Sequence, residues 1–291
     1  MFDFSNVVDL PLIWGLLIAT AVFVYVLLDG FDLGIGIMFP FAPSDKCRDR
    51  MMNSIAPFWD GNETWLVLGG GGLFAAFPLA YSVLMPAFYM PIIMMLLGLI
   101  LRGVAFEFRF KASDKSRHIW DKAFHFGSLS AAFCQGIILG TFVQGVEVDG
   151  RNFSGGPFDW ATGFSMMTGI AVVCGYALLG STWLVMKTED VTQEWARRIA
   201  SYVLGFVGGF MILVSICMPF MNDQIKNFWF SAPNIYYLLP IPLHHLGIIC
   251  SGLARHSPQK SRIPSVLCQY RNISYGLSRT GLKPFPMAGP V

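Results

Sequence analysis

Charge is scarce in this chain. Asp, Glu, Lys and Arg make up only 13% of its 291 residues, while 54% are hydrophobic and the mean hydropathy is +0.55. So little polar side chain cannot cover a water-soluble body of this length, and the class is integral membrane protein. The N-terminus lacks the basic run of a secretory signal: Asp3 and Asp9 precede the first apolar stretch, which is therefore retained as a helix. Six cysteines (Cys47, Cys134, Cys174, Cys217, Cys250 and Cys268) form no C-x-x-C pair, so neither a disulfide framework nor a thiolate metal site is supported. Gly69–Gly72 lacks the Gly-Lys-Ser/Thr ending and the soluble strand of a phosphate loop, and reads as close helix packing. Acid is missing altogether from residues 243–291, which hold Arg255, Lys260, Arg262, Arg271, Arg279 and Lys283.

Six apolar stretches are long enough to span a bilayer, which needs about 20 residues. They lie near 11–38, 64–85, 87–106, 124–145, 161–185 and 199–221, with the boundary between the second and third placed around Pro86 and Pro91. Lipid offers the backbone no hydrogen-bond partner, and the short alternating segments of a barrel are absent, so all six are read as helices. The fold class is an all-α polytopic bundle over residues 1–242. Beyond Pro240-Ile241-Pro242 the character changes: His244-His245 is followed by aperiodic Ser, Arg, Pro and Gly, and the apolar window Leu246–Leu253 is too short to span. Residues 243–291 read as a disordered or aberrant tail.

Basic residues set the orientation. Lys46, Arg48 and Arg50 occupy the first loop, Arg109, Lys111, Lys115, Arg117 and Lys122 the third, and Lys187, Arg197 and Arg198 the fifth. The other side offers Arg151 and Lys226. The odd loops are thus expected in the cytoplasm and the N-terminus outside.

The first helix then delivers Asp29 and Asp32 toward its cytoplasmic end, three residues apart on one face. Asp60 and Glu63 repeat that spacing at the entrance of the second helix. Carboxylates at membrane depth are costly and mark a charge route, a partner or a protein interior. A milder reading stands beside this one: Asp29 and Asp32 touch water at the interface, Asp60 caps a helix entered at Gly61, Glu63 answers the helix dipole, and Trp59 and Trp65 belong to an interfacial belt. Arg102 either snorkels to the headgroups or neutralises a nearby carboxylate. Neither His118, in a basic loop, nor His125, at a helix start, has a facing histidine with which to hold a haem iron.

Three ordered motifs carry a family resemblance: Asp29-Gly-Phe-Asp-Leu-Gly-Ile-Gly, Asn53-Ser-Ile-Ala-Pro-Phe-Trp-Asp-Gly-Asn-Glu-Thr-Trp and Arg102-Gly-Val-Ala-Phe-Glu-Phe-Arg. Over residues 1–242 the chain resembles subunit II of the cytochrome bd-type ubiquinol oxidases, and its Asn-Glu-Thr-Trp ending is closest to the cyanide-insensitive branch. The resemblance implies a multi-pass protein of the bacterial inner membrane with a periplasmic N-terminus. It implies a heterodimer with subunit I, which carries haem b and haem d, oxidises ubiquinol and reduces dioxygen to water. Subunit II in that family binds no haem, supports its partner and contributes a cytoplasmic proton path. A small third subunit and membrane lipid are further implied partners, and nucleic acid is not among them. Residue by residue, the proton path falls on Asp32 and Asp60, with Asp29 in the same motif, while Arg102 and Glu63 balance charge. The family has eight helices where this sequence offers six, so a frameshift or truncation near Leu243 is expected. Rival readings are a proton- or cation-coupled secondary transporter, which would place broken helices at the bilayer midplane, and a scaffold whose acids are only caps.

Overall fold

The computed structural model describes residues 9–221, 223–232 and 234–238. The expected tail over 243–291, with His244 and His245, lies outside the described residues. The chain runs α1 (Leu10–Met38), a short 3-10 turn (Phe39–Phe41), α2 (Asp45–Ile55), α3 (Trp59–Ala76), α4 (Pro78–Ala87), α5 (Tyr89–Lys111) and α6 (Asp114–Gln144). A two-stranded hairpin follows, β1 (Val148–Asp149) against β2 (Asn152–Phe153), and then α7 (Gly163–Lys187), α8 (Asp190–Met221), α9 (Asp223–Phe230) and α10 (Asn234–Leu238). The described part is an all-α bundle, as expected. Five of its helices, α1, α5, α6, α7 and α8, are long and apolar enough to cross a membrane.

The helix expected over 64–85 is two helices. Pro78 has no N–H to give, and its ring keeps the preceding residue out of the helical region, so the helix breaks at Phe77 (φ −131°, ψ 63°). Pro86 sits inside α4 and Pro91 in the first turn of α5, where a missing N–H costs nothing, so neither makes the break placed there by the sequence. The third expected helix accordingly starts at Tyr89 and runs to Lys111. Asp60 does not cap α3 either: the helix begins one residue earlier, at Trp59, and Asp60 lies in its first turn, where the dipole favours a carboxylate. Other starts are capped as the chemistry predicts, Ser44 accepting from the Cys47 amide and Thr162 forming a reciprocal pair with Ser165.

Small residues let the central helices touch backbone to backbone. A Cβ on Gly98 of α5 would lie 2.8 Å from the Gly127 carbonyl oxygen of α6, and one on Gly127 would lie 2.7 Å from that of Gly98. On α1, a Cβ at Gly34 would run into the Tyr176 carbonyl of α7, and one at Gly180 would lie 2.6 Å from the Gly34 carbonyl carbon. Lipid tails are as apolar as leucine, so such contacts, not water exclusion, hold membrane helices together. The buried core gathers where these helices meet, with Leu33, Ile35, Phe39, Met51, Met52, Ile55, Phe124 and Leu184 almost fully enclosed. The opposite faces are apolar and exposed, as at Leu12, Leu16, Leu17 and Phe23 of α1.

Gly34→Ala is expected to lower stability by about 1–3 kcal/mol, the usual cost of forcing an extra carbon into a packed contact. Gly15→Ala, with nothing within 4 Å of the added carbon, is expected to leave stability unchanged or slightly raised. Thermal unfolding in detergent distinguishes the two.

Candidate functional site: a buried ionic cluster

Arg102 lies on α5, one turn past Gly98, on the helix that the close contact with α6 draws inward. Its side chain is 2% exposed. Nη1 donates to Asp29 Oδ1 of α1 at 2.7 Å, and Nη2 pairs with Glu63 Oε1 of α3. Asp32, one turn beyond Asp29, is fully buried and accepts from Asn62 Nδ2 at 2.7 Å. The α1 and α3 helices run antiparallel, with Gly69 against Val22 and Gly72 against Ile18, and this register carries Asn62 and Glu63 to the two aspartates. Trp59 and Phe106, ring centres 5.2 Å apart, stand beside the cluster.

The structure thus joins four of the residues singled out by sequence: Asp29, Asp32, Glu63 and Arg102. The snorkelling alternative for Arg102 is overturned, because its guanidinium faces inward and is enclosed. The interfacial reading of Asp29 and Asp32 also fails, as both are 0% exposed. Asp60 does not join the cluster. It is exposed, one turn ahead of Glu63 on α3, and Glu63 is the half-buried member at the open edge.

Three carboxyl groups share one guanidinium here. Asp29 Oδ2, Asp32 Oδ1 and Arg102 Nε are buried without a protein hydrogen-bond partner. An isolated buried charge is costly, whereas a site able to take and release a proton or hold water discharges it. The arrangement is suited to handling positive charge inside the bundle.

Two further polar groups went unrecognised in the sequence. Arg109, seven residues past Arg102 on α5, is fully buried. It donates to Asp49 of α2 at 2.7 Å and to Asp121 of α6 at 2.5 Å, and its guanidinium lies 5.1 Å from the Phe39 ring centre. The sequence counted it as a loop charge. Its two-turn spacing from Arg102 was the available signal, since both then face the same side of one helix. Deeper in the bundle, Gln135 of α6 bridges Tyr25 of α1 and Tyr176 of α7 at 2.7 and 2.6 Å.

The histidines do not suit a haem. His125 points its Nδ1 at the Gly36 carbonyl, 3.2 Å away, with its ring against Phe41 and Phe126. His118 is exposed. No group of three or more His, Cys, Asp or Glu able to hold a metal ion occurs among the described residues.

Removing Arg102 as Arg102→Gln leaves buried acids without their cation and is expected to cost about 3–5 kcal/mol. Arg48→Gln breaks only the more exposed pair with Asp45 and is expected to cost at most about 1 kcal/mol. Denaturation midpoints of the two variants check this ordering.

Comparison with known sequences agrees with the motifs. A profile of the cytochrome bd terminal oxidase subunit II family matches residues 10–288, which runs past residue 242. A Bacillus subtilis protein named cytochrome bd ubiquinol oxidase subunit 2 is 31% identical over 83% of this chain and 70% of its own length. A Haemophilus influenzae protein named as a probable cytochrome oxidase subunit 2 is 30% identical over 79% of this chain and 62% of its own length. The Escherichia coli K12 cytochrome bd-I ubiquinol oxidase subunit 2 is 34% identical over 66% of this chain and 52% of its own length. The alignments therefore span between about half and two thirds or slightly more of these relatives. With an ionic cluster built from the same motifs and a family match along nearly its whole length, the chain belongs to the cytochrome bd terminal oxidase subunit II family.

Proposed function

We propose that this chain is the haem-free partner of a haem-bearing subunit I in a ubiquinol oxidase of the bacterial inner membrane, and that its ionic cluster delivers protons from the cytoplasm. Reduction of one dioxygen to two waters consumes four protons. A membrane enzyme that draws them from one side needs a polar entry through its apolar body. The observation that carries this reading is the pair of fully buried aspartates beside a buried arginine, with two more exposed acids leading to them.

The proposed order follows exposure. Asp60 and Glu63 collect protons at the rim, and Asp32 and Asp29 receive them inside. Arg102 holds the negative cluster together while the number of protons on it changes. Asn62 fixes the Asp32 carboxyl by donating to Oδ2, leaving Oδ1 to accept. The loops rich in Lys and Arg face the cytoplasm in this scheme, and the N-terminus faces the periplasm. The haems b and d belong to the partner and supply the electron transfer and oxygen chemistry. A small third subunit completes the assembly.

The test is oxygen consumption by the complex co-purified with subunit I, with ubiquinol as donor. Asp32→Asn is expected to slow turnover by about 10²-fold, the lower end of what a positioned proton-transfer group contributes. Asp60→Asn, at the solvated rim, is expected to slow it less. Both should keep the parent haem spectrum. Parental turnover in an assembled Asp32→Asn complex would remove Asp32 from the route. Loss of haem with unaltered turnover per remaining haem would favour a scaffold.

A further inference from the structure

Tyr25, Gln135 and Tyr176 form a hydrogen-bonded bridge across α1, α6 and α7, one turn deeper than Asp29. Tyr25 and Tyr176 are 3% and 4% exposed. Tyr25 lies four residues before Asp29 and seven before Asp32, so the three share one stripe of α1. Its hydroxyl interacts with Asp29, whose Oδ2 otherwise lacks a partner.

Donor and acceptor counting fixes the direction of the bridge. A phenol has one proton to give, and an amide has a donor end and an acceptor end. An ionised carboxylate only accepts, so a Tyr25 proton aimed at Asp29 requires its oxygen to accept from elsewhere. Gln135 Nε2 supplies that bond at 2.7 Å. Its other end, Oε1, then accepts from Tyr176 at 2.6 Å, which uses the single Tyr176 proton. Reversing the amide would turn the Tyr25 proton onto Gln135 and leave Asp29 with none. Only one arrangement serves all four groups.

The geometry points to Gln135 and Tyr176 as positioning residues that aim the Tyr25 hydroxyl at Asp29, so that Asp32 Oδ1 is the carboxyl oxygen left to accept the travelling proton. Asp29 then has both oxygens occupied, Oδ1 by Arg102 and Oδ2 by Tyr25. Asp32 has Asn62 on Oδ2 and nothing on Oδ1. The two aspartates, alike in sequence and burial, take different parts: Asp29 is the fixed counter-ion and Asp32 the proton carrier. The inference rests on the proton-delivery reading of the cluster. The alternative is that the bridge only ties three helices together, as interhelical hydrogen bonds in membranes do.

Infrared difference spectroscopy of the complex with subunit I, reduced minus oxidised, separates the two. A carboxylic-acid C=O band is expected in the parent and should vanish in Asp32→Asn. In Tyr25→Phe, which removes a single oxygen, a second carboxyl band is expected, because Asp29 then has a free oxygen. Gln135→Leu should give the same second band. Spectra of Tyr25→Phe identical to the parent, a band that survives Asp32→Asn, or no carboxyl band in the parent would each overturn the assignment. If Gln135→Leu fails to assemble, Tyr25→Phe alone decides. Oxygen consumption is read separately. Parental turnover in Asp32→Asn refutes proton delivery, while the bands still report which aspartate takes the proton.

Discussion

The rest of the bundle depends on one buried guanidinium. Arg102 reaches α1 through Asp29 and α3 through Glu63 while its own helix, α5, is pressed against α6. Take away that cation and three carboxyl groups face one another in an apolar interior. Taking away one acid instead leaves a guanidinium that lipid cannot solvate. Helices α1, α3 and α5 are thus bound to a single arrangement by charge, and small residues set how closely they approach. The two constraints act at the same level of the bundle: Gly98 is one turn from Arg102, and Gly34 is just past Asp32. Close backbone contact is what brings a long side chain on one helix within reach of a short acid on another.

A second arginine repeats the device nearer the helix ends. Arg109 ties α2 to α5 and α6 through Asp49 and Asp121. Since α2 leads directly into Phe58 and the first turn of α3, this bond fixes the stretch that presents Asp60, Asn62 and Glu63. The aromatic contacts agree with that role. Trp183 of α7 stacks on Phe31 at 4.1 Å and meets Phe58 edge-on, closing the same corner from the other side.

Much of this was legible in the sequence. Apolar runs of more than twenty residues leave little choice but helices, and a carboxylate inside such a run announces itself by its cost. Asp29, Asp32, Glu63 and Arg102 were found that way. What was hidden depended on neighbours distant in the chain. Arg109 resembled any other loop cation until Asp49 and Asp121 closed on it. Gln135 and the two tyrosines carry no charge, and a single amide in an apolar run does not say which helices it will bridge. Asn62 went unnoticed because its role exists only once α1 lies antiparallel to α3. The break at Phe77 was a local signal misjudged: three prolines lie within fourteen residues, and only Pro78 falls where its restriction on the preceding residue ends a helix.

The distance along the chain between Asp29 and Arg102 carries a consequence for biogenesis. They are 73 residues apart, and a ribosome adding about 5–20 residues per second needs about 4–15 s to travel from one to the other. For that interval α1 has left the ribosome with two acids and no cation to meet them. Each acid costs about 2.5–3.5 kcal/mol at the centre of a helix entering the membrane. The first segment cannot settle alone in lipid in its final form. It must wait at the translocon or the interface, or with its acids protonated, until α5 emerges and the hairpin of α5 and α6 delivers the arginine. Insertion of this protein is in that sense a concerted event of its first four long segments, not a helix-by-helix one.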